Sequence, residues 1–275
     1  MRETLDPAGW LELAQALPEG TRGTADHDCG TGKKLVIDHK VGGWGAYCYR
    51  CGLPGWVPKP PESLAQRIAR LGAQRAEEQA VRGSLDLPTP ANSNPRTWPL
   101  EARVWLYKVG FSNDDIESLG FFYHERTKRV VMPSLNEGKL VYWQARGFNP
   151  DFAKYINPQV NPKPVAKYGS GPVLVLTEDM LSAAKVGMLT EAWSLLGTKI
   201  STATVVEIMR LRKPVVIWLD PDQAGIDGSA AVYKALTVSG VNARVVRTQQ
   251  DPKLHSKKEI AHIIGLDSPP IAETP

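Results

Sequence analysis

The chain has 275 residues, enough for two or three modest domains, with an apolar content of 42% and a formal net charge of +4. No apolar run approaches the roughly 20 residues of a membrane helix, and the first six residues lack the apolar core of a secretory signal. Its three cysteines all lie between residues 29 and 51. An odd, clustered set argues against a disulfide framework and for a metal bound in a reducing, cytoplasmic compartment.

In chain order, Asp6-Pro7 opens a short predicted helix that runs to Leu17, with Trp10, Leu11, Leu13, Ala14 and Leu17 on its apolar face. Lys34–Asp38 and Gly45–Cys48 read as strands joined by a Gly42-Gly43 turn. A proline cluster over 58–61 precedes a helix with Leu64, Ile68 and Leu71 on one stripe. The Pro-, Asn- and Ser-rich stretch from Gly83 to Pro99 reads as a flexible linker. Helices are expected over 101–107 and 114–119, and strands over 129–133 and 138–144. From Val173 the chain alternates apolar strands (173–176, 193–196, 215–219, 243–246) with helical segments (181–188, 202–210, 229–239). That alternation implies right-handed crossovers and a parallel sheet covered on both faces. Ser256 and Glu259 have capping-box spacing for a last short helix, and the tail from 267 is expected to be disordered.

Cys48 and Cys51 have the C-x2-C spacing of a metal knuckle, and Cys29 lies within reach across the hairpin. Tetrahedral zinc needs a fourth ligand. His27 is the first candidate and His39 the second. The same segment carries Lys33, Lys34, Trp44, Tyr47, Tyr49, Arg50 and Trp56, a mix of phosphate-holding charges and base-stacking rings that could equally pack the module.

Glu178 ends the first strand of the alternating region, and Asp220 and Asp222 end a later one, on one side by their two-residue spacing. Asp251 follows a fourth. Carboxylates at the carboxyl ends of parallel strands lie where α/β sheets bind ligands, and such a cluster needs a hard cation such as Mg²⁺ or Mn²⁺. Asp179 fits a helix cap instead. Basic residues outnumber acidic ones eleven to seven between Arg96 and Lys167, but stand at eleven each from Gly171 onward. The positive excess therefore precedes the acidic cluster.

Thr177-Glu178-Asp179, Leu196-Gly197-Thr198 and Asp220-Pro221-Asp222-Gln223-Ala224-Gly225 resemble the Toprim domain of primases, topoisomerases and some nucleases. The chain as a whole looks like a phage-type DNA primase, similar to the primase half of the fused primase–helicases, and the resemblance covers most of residues 20–265. It implies a zinc-binding domain (1–58), a helix and linker (59–97), a basic subdomain of the RNA polymerase domain (98–170), an α/β Toprim domain (171–266) and a tail (267–275). It further implies synthesis of short RNA primers from ribonucleoside triphosphates on single-stranded DNA. Structural Zn²⁺ would sit at His27, Cys29, Cys48 and Cys51. Catalytic Mg²⁺ or Mn²⁺ would sit at Glu178, Asp220 and Asp222, with Asp251 in support, or Glu178 would instead accept a proton. The basic subdomain makes Arg129, Arg146, Lys154 and Lys167 candidates for contacts to template or nucleotide. No helicase half is visible in this sequence, so a separate replicative helicase is the expected partner, in the cytoplasm of an infected host cell if the chain is phage-encoded. The competing expectations are a Toprim nuclease and a non-catalytic zinc/Toprim recombination mediator. The family's zinc pattern is altered here to His-x-Cys, and Gly30-Thr31-Gly32-Lys33 lacks the spacing of a nucleotide-binding P-loop.

Overall fold

The computed structural model describes residues 3–60 and 63–266; the tail expected to be disordered lies outside them. Among the described residues no helix is long and apolar enough to cross a membrane.

The first unit is an antiparallel sheet of β1 (Arg22–His27), β2 (Gly30–Lys40), β3 (Gly43–Cys48) and β4 (Pro54–Pro58), paired in that order. A 3-10 turn at Pro7–Gly9, capped by the Asp6 carboxylate, leads into α1 (Leu11–Gln15). Trp10 and Ala14 pack on Leu35, Ile37, Ala46 and Cys48 to form a small core. Leu100 N–H donates to Gly20 O, which docks this unit on the helix that begins at that residue.

The second unit is a sheet of β5 (Ala91–Asn92), β6 (Phe122–His124), β7 (Arg129–Asn136), β8 (Lys139–Gly147) and β9 (Tyr155–Ile156), antiparallel throughout. Helices α2 (Leu64–Arg82), α3 (Leu100–Lys108) and α4 (Asn113–Ser118) accompany it. A capping box of Ser63 and Gln66 starts α2. The stripe expected to bury this helix is not its inner face: Leu64 is 74% and Ile68 62% exposed, while Gln74 and Glu78 are buried. The stretch expected to be a flexible linker is built into the sheet. Trp143 Nε1 donates to Leu85 O, His124 Nε2 bonds Thr89 O, and Trp98 is fully buried with its Nε1 donating to Asn92 O.

Arg129 is the reason α2 turns a polar face inward. Its side chain is fully buried. It donates through Nε to Glu78 at 2.9 Å, through Nη2 to Ala153 O at 2.8 Å, and through Nη1 to Ala145 O. Replacing Arg129 by Met leaves the Glu78 carboxylate buried without its partner, and the expected loss of stability is about 3–5 kcal/mol. The double variant Arg129→Met/Glu78→Leu should recover much of it. Urea unfolding checks this, and an Arg129→Met protein as stable as wild type would refute the account.

The third unit is a five-stranded sheet in the order β10 (Ala166–Tyr168), β12 (Glu191–Ser194), β11 (Leu174–Thr177), β13 (Val215–Ile217), β14 (Ala243–Val245). All its pairs are parallel except β10 with β12. The sheet thus begins at Ala166, ahead of the boundary expected at 171. Helices α5 (Met180–Gly187), α6 (Thr202–Leu211), α7 (Gln223–Val238) and α8 (Lys257–Ile264) complete it, and the Ser256/Glu259 capping box is present. Successive strand residues alternate between two cores. Leu174, Leu176, Val215 and Ile217 face Val205, Ile208 and Val232, on the side of α6 and α7. Val175, Val216 and Trp218 share a core with α5, α8 and residues of the middle unit such as Trp98, Phe121 and Tyr142. The second and third units are therefore joined through one core.

Candidate catalytic crevice and zinc centre

The strand order fixes where a ligand can enter. From β11 the chain crosses by α5 to β12 on one side. It then returns by α6 past β11 to β13, and continues by α7 to β14 on the other. The winding reverses between β11 and β13, and in open α/β sheets the crevice at such a reversal, outside the strand carboxyl ends, is the binding site. Glu178 follows β11 directly, and Asp220 lies just beyond β13. The two expected carboxylates flank this point.

Their supports are local. Ser194 Oγ and Gly197 N–H both donate to Glu178 O, which fixes the loop after β11. A Cβ at Gly225 would lie 2.1 Å from Asp220 O, so only glycine lets the first turn of α7 approach. Asp222 is exposed and N-caps α7 through Oδ1 to Gly225 N–H at 2.8 Å. Asp179 caps α5 as its position suggested, accepting from Leu181 and Ser182 N–H. Asp251 accepts from Lys253 Nζ at 2.6 Å, and the same ammonium reaches Asp179 at 3.0 Å.

Burial raises the Asp220 carboxyl to about 7, against the pull of Lys253 and with added repulsion from Asp179, Asp251 and Glu178. Burial, then Asp222 and Asp179, also raise Glu178. Burial opposes charge on Lys253, but Asp179, Asp251 and Asp220 outweigh it and hold the ammonium above its ordinary value. Glu178 Oε2 and Asp220 Oδ1 are both buried without a hydrogen-bond partner. Orphaned buried acceptors on carboxylates that repel one another fit a divalent cation coordinated by oxygen.

The basic candidates divide. Arg129 is consumed by its buried bonds and is a structural residue, correcting the expectation that it contacts nucleic acid. Lys167 sits on edge strand β10, separated from β11 by β12, with its Nζ on Glu207 and 4.2 Å from the Trp193 ring centroid. It too is engaged away from the crevice. Arg146 lies among the rings of Trp105, Phe148 and Tyr155, with its Nε buried and unpartnered. Tyr155, whose hydroxyl burial holds above its ordinary value, lies within electrostatic reach of Arg146, Asp179, Lys253 and Asp220. Lys154 is exposed beside Tyr155. Lys253 had no role assigned from sequence beyond its place in the run Asp251-Pro252-Lys253, which resembles the family's third acidic motif.

At the other end of the chain, His27, Cys29, Cys48 and Cys51 bring four ligand atoms within 4.8 Å of one another. His27 ends β1 and Cys29 is in the following turn; Cys48 ends β3 and Cys51 is in the turn before β4. His27 Nδ1 is 2.9 Å from Cys29 Sγ and 3.8 Å from Cys51 Sγ, and the Cys29 and Cys48 sulfurs are 3.5 Å apart. Tetrahedral zinc with sulfur about 2.3 Å away separates its ligands by about 3.8 Å, so this donor set fits. The Cys51 and Arg50 N–H groups hold the Cys48 thiol down at about 6 against the cost of burial. Burial and hydrogen bonds to Cys48 and Cys51 push Cys29 up to about 11. His39 is not the fourth ligand: it stands outside the cluster of four, with its Nδ1 on Leu17 O at 2.6 Å and its ring on Trp44. Arg50 lies across Gly30, where a Cβ would strike its guanidinium, and donates to Thr31 O, tying one knuckle to the other. Of the ribbon aromatics, Tyr47, Tyr49 and Trp56 are exposed.

Residues 177–254 match the Toprim-like family model. No curated protein matches the chain. Among solved structures, the Aquifex aeolicus primase (zinc-binding and RNA polymerase domains) is 14% identical with a TM-score of 0.51, over 89% of this chain and 78% of that one. The E. coli primase catalytic core is 16% identical with a TM-score of 0.50, over 71% and 78%. The DnaG catalytic core gives 16% and 0.50, over 72% and 76%. The chain thus carries a Toprim-like domain within the fold of the zinc-binding and RNA polymerase domains of DNA primases.

Proposed function

We propose that this chain is a DNA primase, a nucleotidyltransferase that joins ribonucleotides into short RNA primers on single-stranded DNA. The observation that carries the reading is the pair of buried, unpartnered carboxylate oxygens of Glu178 and Asp220 at the switch point of a sheet whose surroundings share the primase fold. Glu178 and Asp220, with the free oxygen of Asp222, would hold Mg²⁺ or Mn²⁺. Bound there, such a cation lowers the pKa of an attacking hydroxyl and neutralises phosphate charge. Asp251 serves by holding Lys253. That ammonium offsets the carboxylates and stands ready for a phosphate oxygen. Arg146, stacked among three rings with an unused Nε–H, orients an incoming triphosphate or the template backbone, and Lys154 adds charge at the rim. His27, Cys29, Cys48 and Cys51 hold zinc, and the exposed Tyr47, Tyr49 and Trp56 of that unit offer stacking faces for choosing where synthesis starts. A replicative helicase is the partner this reading implies.

The test is incubation of the purified chain with mixed-sequence single-stranded DNA, labelled ribonucleoside triphosphates and Mg²⁺. Short RNA products are expected, absent without the divalent cation. Degraded DNA with no RNA would replace the reading by a nuclease. Intact, bound DNA with no RNA, even after a replicative helicase is added, would replace it by a binding module.

A further inference from the structure

The second half of α2 and the loop after β9 enclose a concave cavity of about 520 Å³, lined by Arg75, Glu78, Gln79, Arg82 and Gln159. The loop is tied to the helix by Gln159 N–H donating to Arg82 O. Arg75 and Arg82 are seven residues apart, two helical turns, and so share a face about 10 Å long. Neither guanidinium has a carboxylate partner among the described residues. The one acid in the lining, Glu78, is neutralised by Arg129, Nη2 to Oε1 at 2.7 Å. The cavity therefore carries two uncompensated positive charges alongside two amide side chains.

What lies beside the cavity selects among anions. Arg75 sits over the Phe152 ring at 5.8 Å, so an aromatic face borders the charge. Phe152, Lys154 and Tyr155 follow one another within about 10 Å of chain. Lys154 lies over Tyr155 at 5.7 Å, Arg146 lies over the same ring at 5.3 Å, and Tyr155 feels Asp220 and Lys253. Alternating cations and rings thus run from α2 to the acidic crevice. A free phosphate needs no ring. A single strand needs both, charges for its backbone and faces for its bases.

We propose that the cavity between α2 and the loop after β9 is a binding site for the phosphodiester backbone of single-stranded DNA, held by Arg75 and Arg82 with Phe152 as a stacking platform. It anchors the template at a distance from the crevice and leads it in along Lys154 and Tyr155. The inference rests on the reading of the chain as an enzyme acting on a single strand.

The test is fluorescence anisotropy of the full chain with labelled oligo(dT) of about 6 and about 20 nucleotides, bracketing common single-strand site sizes, across a salt series. No ribonucleotide is present. For Arg75→Gln/Arg82→Gln, affinity for the longer oligonucleotide should fall about ten-fold or more at low salt. The slope of log K against log salt should shrink by about 1.4, the value for two lost phosphate contacts on a single strand. The short oligonucleotide should be little affected, and Arg75→Lys/Arg82→Lys should keep most of the slope. Should the Gln variant fail to fold, photocross-linking of 5-iododeoxyuridine DNA to the wild-type chain replaces it, with adducts expected at Phe152. Unchanged affinity and slope, or adducts only elsewhere, overturns the site. Wild type that makes primers while the Gln variant binds normally overturns the site alone. Wild type that neither binds oligo(dT) nor makes primers overturns the functional reading with it.

Discussion

Asp220→Asn should cut primer synthesis at least about 10³-fold, a loss of about 4 kcal/mol of transition-state stabilisation, while single-stranded DNA binding survives. Asn keeps the shape of the side chain and one acceptor oxygen but removes the negative charge that a divalent cation requires. Neighbouring Glu178 retains its own orphaned oxygen, so the remaining site should bind Mg²⁺ more weakly rather than vanish. Raising Mg²⁺ should therefore recover only a small part of the rate. A variant that primes at the wild-type rate would sink the cation assignment and with it the reading of the crevice.

The same substitution has a signature in stability that needs no catalysis. The folded-state carboxyl of Asp220 is raised to about 7 by burial and by its acidic neighbours. An acid raised on folding binds its proton more tightly in the folded state. Its contribution is thus fully present below the unfolded value near 4 and is lost as pH rises through about 7. Without divalent cation, wild type should melt at a lower temperature than Asp220→Asn at pH 8, and the gap should narrow toward pH 6. Mg²⁺ at pH 8 should raise the wild-type melting temperature and leave the variant nearly where it was. Equal melting curves at both pH values would show that Asp220 is not under electrostatic strain.

The crevice was legible because strand ends announce themselves. Apolar runs broken by Glu178 and by Asp220-Pro221-Asp222 require no knowledge of distant contacts, and both acids flank the switch point. What sequence could not supply was the partner of each charge. Arg129 read as a binding residue because a basic count does not reveal that Glu78, fifty-one positions earlier, meets it in the interior. The same pair turned α2 over: tertiary bonding put Gln74 and Glu78 inside and left the Leu64–Ile68 stripe in solvent. Strands β1 and β4 were missed because both are polar or proline-flanked, with little of the apolar alternation that marks a half-buried strand. The stretch 83–99 looked like a linker by composition, yet its carbonyls are acceptors for buried Trp143 and His124. Asp222 was expected beside Asp220 on the strand, but the chain has by then turned into α7 and one of its oxygens caps that helix.

Zinc removal should have the other large effect, confined to the first unit. Among the described residues the ribbon's core has seven buried apolar side chains, Leu5, Trp10, Ala14, Leu35, Ile37, Ala46 and Cys48, and one of them is itself a ligand. A sheet of this size draws its order from the metal, for which binding and folding are one equilibrium worth on the order of 10 kcal/mol in small zinc domains. Cys48→Ser, or chelation at neutral pH, should release one zinc per chain and expose Trp10. Trypsin should then cut within residues 22–50, whereas the core shared by the second and third units should keep its melting temperature. Primer start sites should become indiscriminate, or synthesis on natural templates should fail, while elongation of a supplied primer persists. His27→Asn should behave like Cys48→Ser, and His39→Asn should retain full zinc, because His39 is engaged with Leu17 O rather than with the sulfurs. Zinc content measured on the two histidine variants separates the assignments. Full zinc in His27→Asn would mean that the fourth position is filled by something other than its Nδ1, and the ribbon geometry would have to be redrawn.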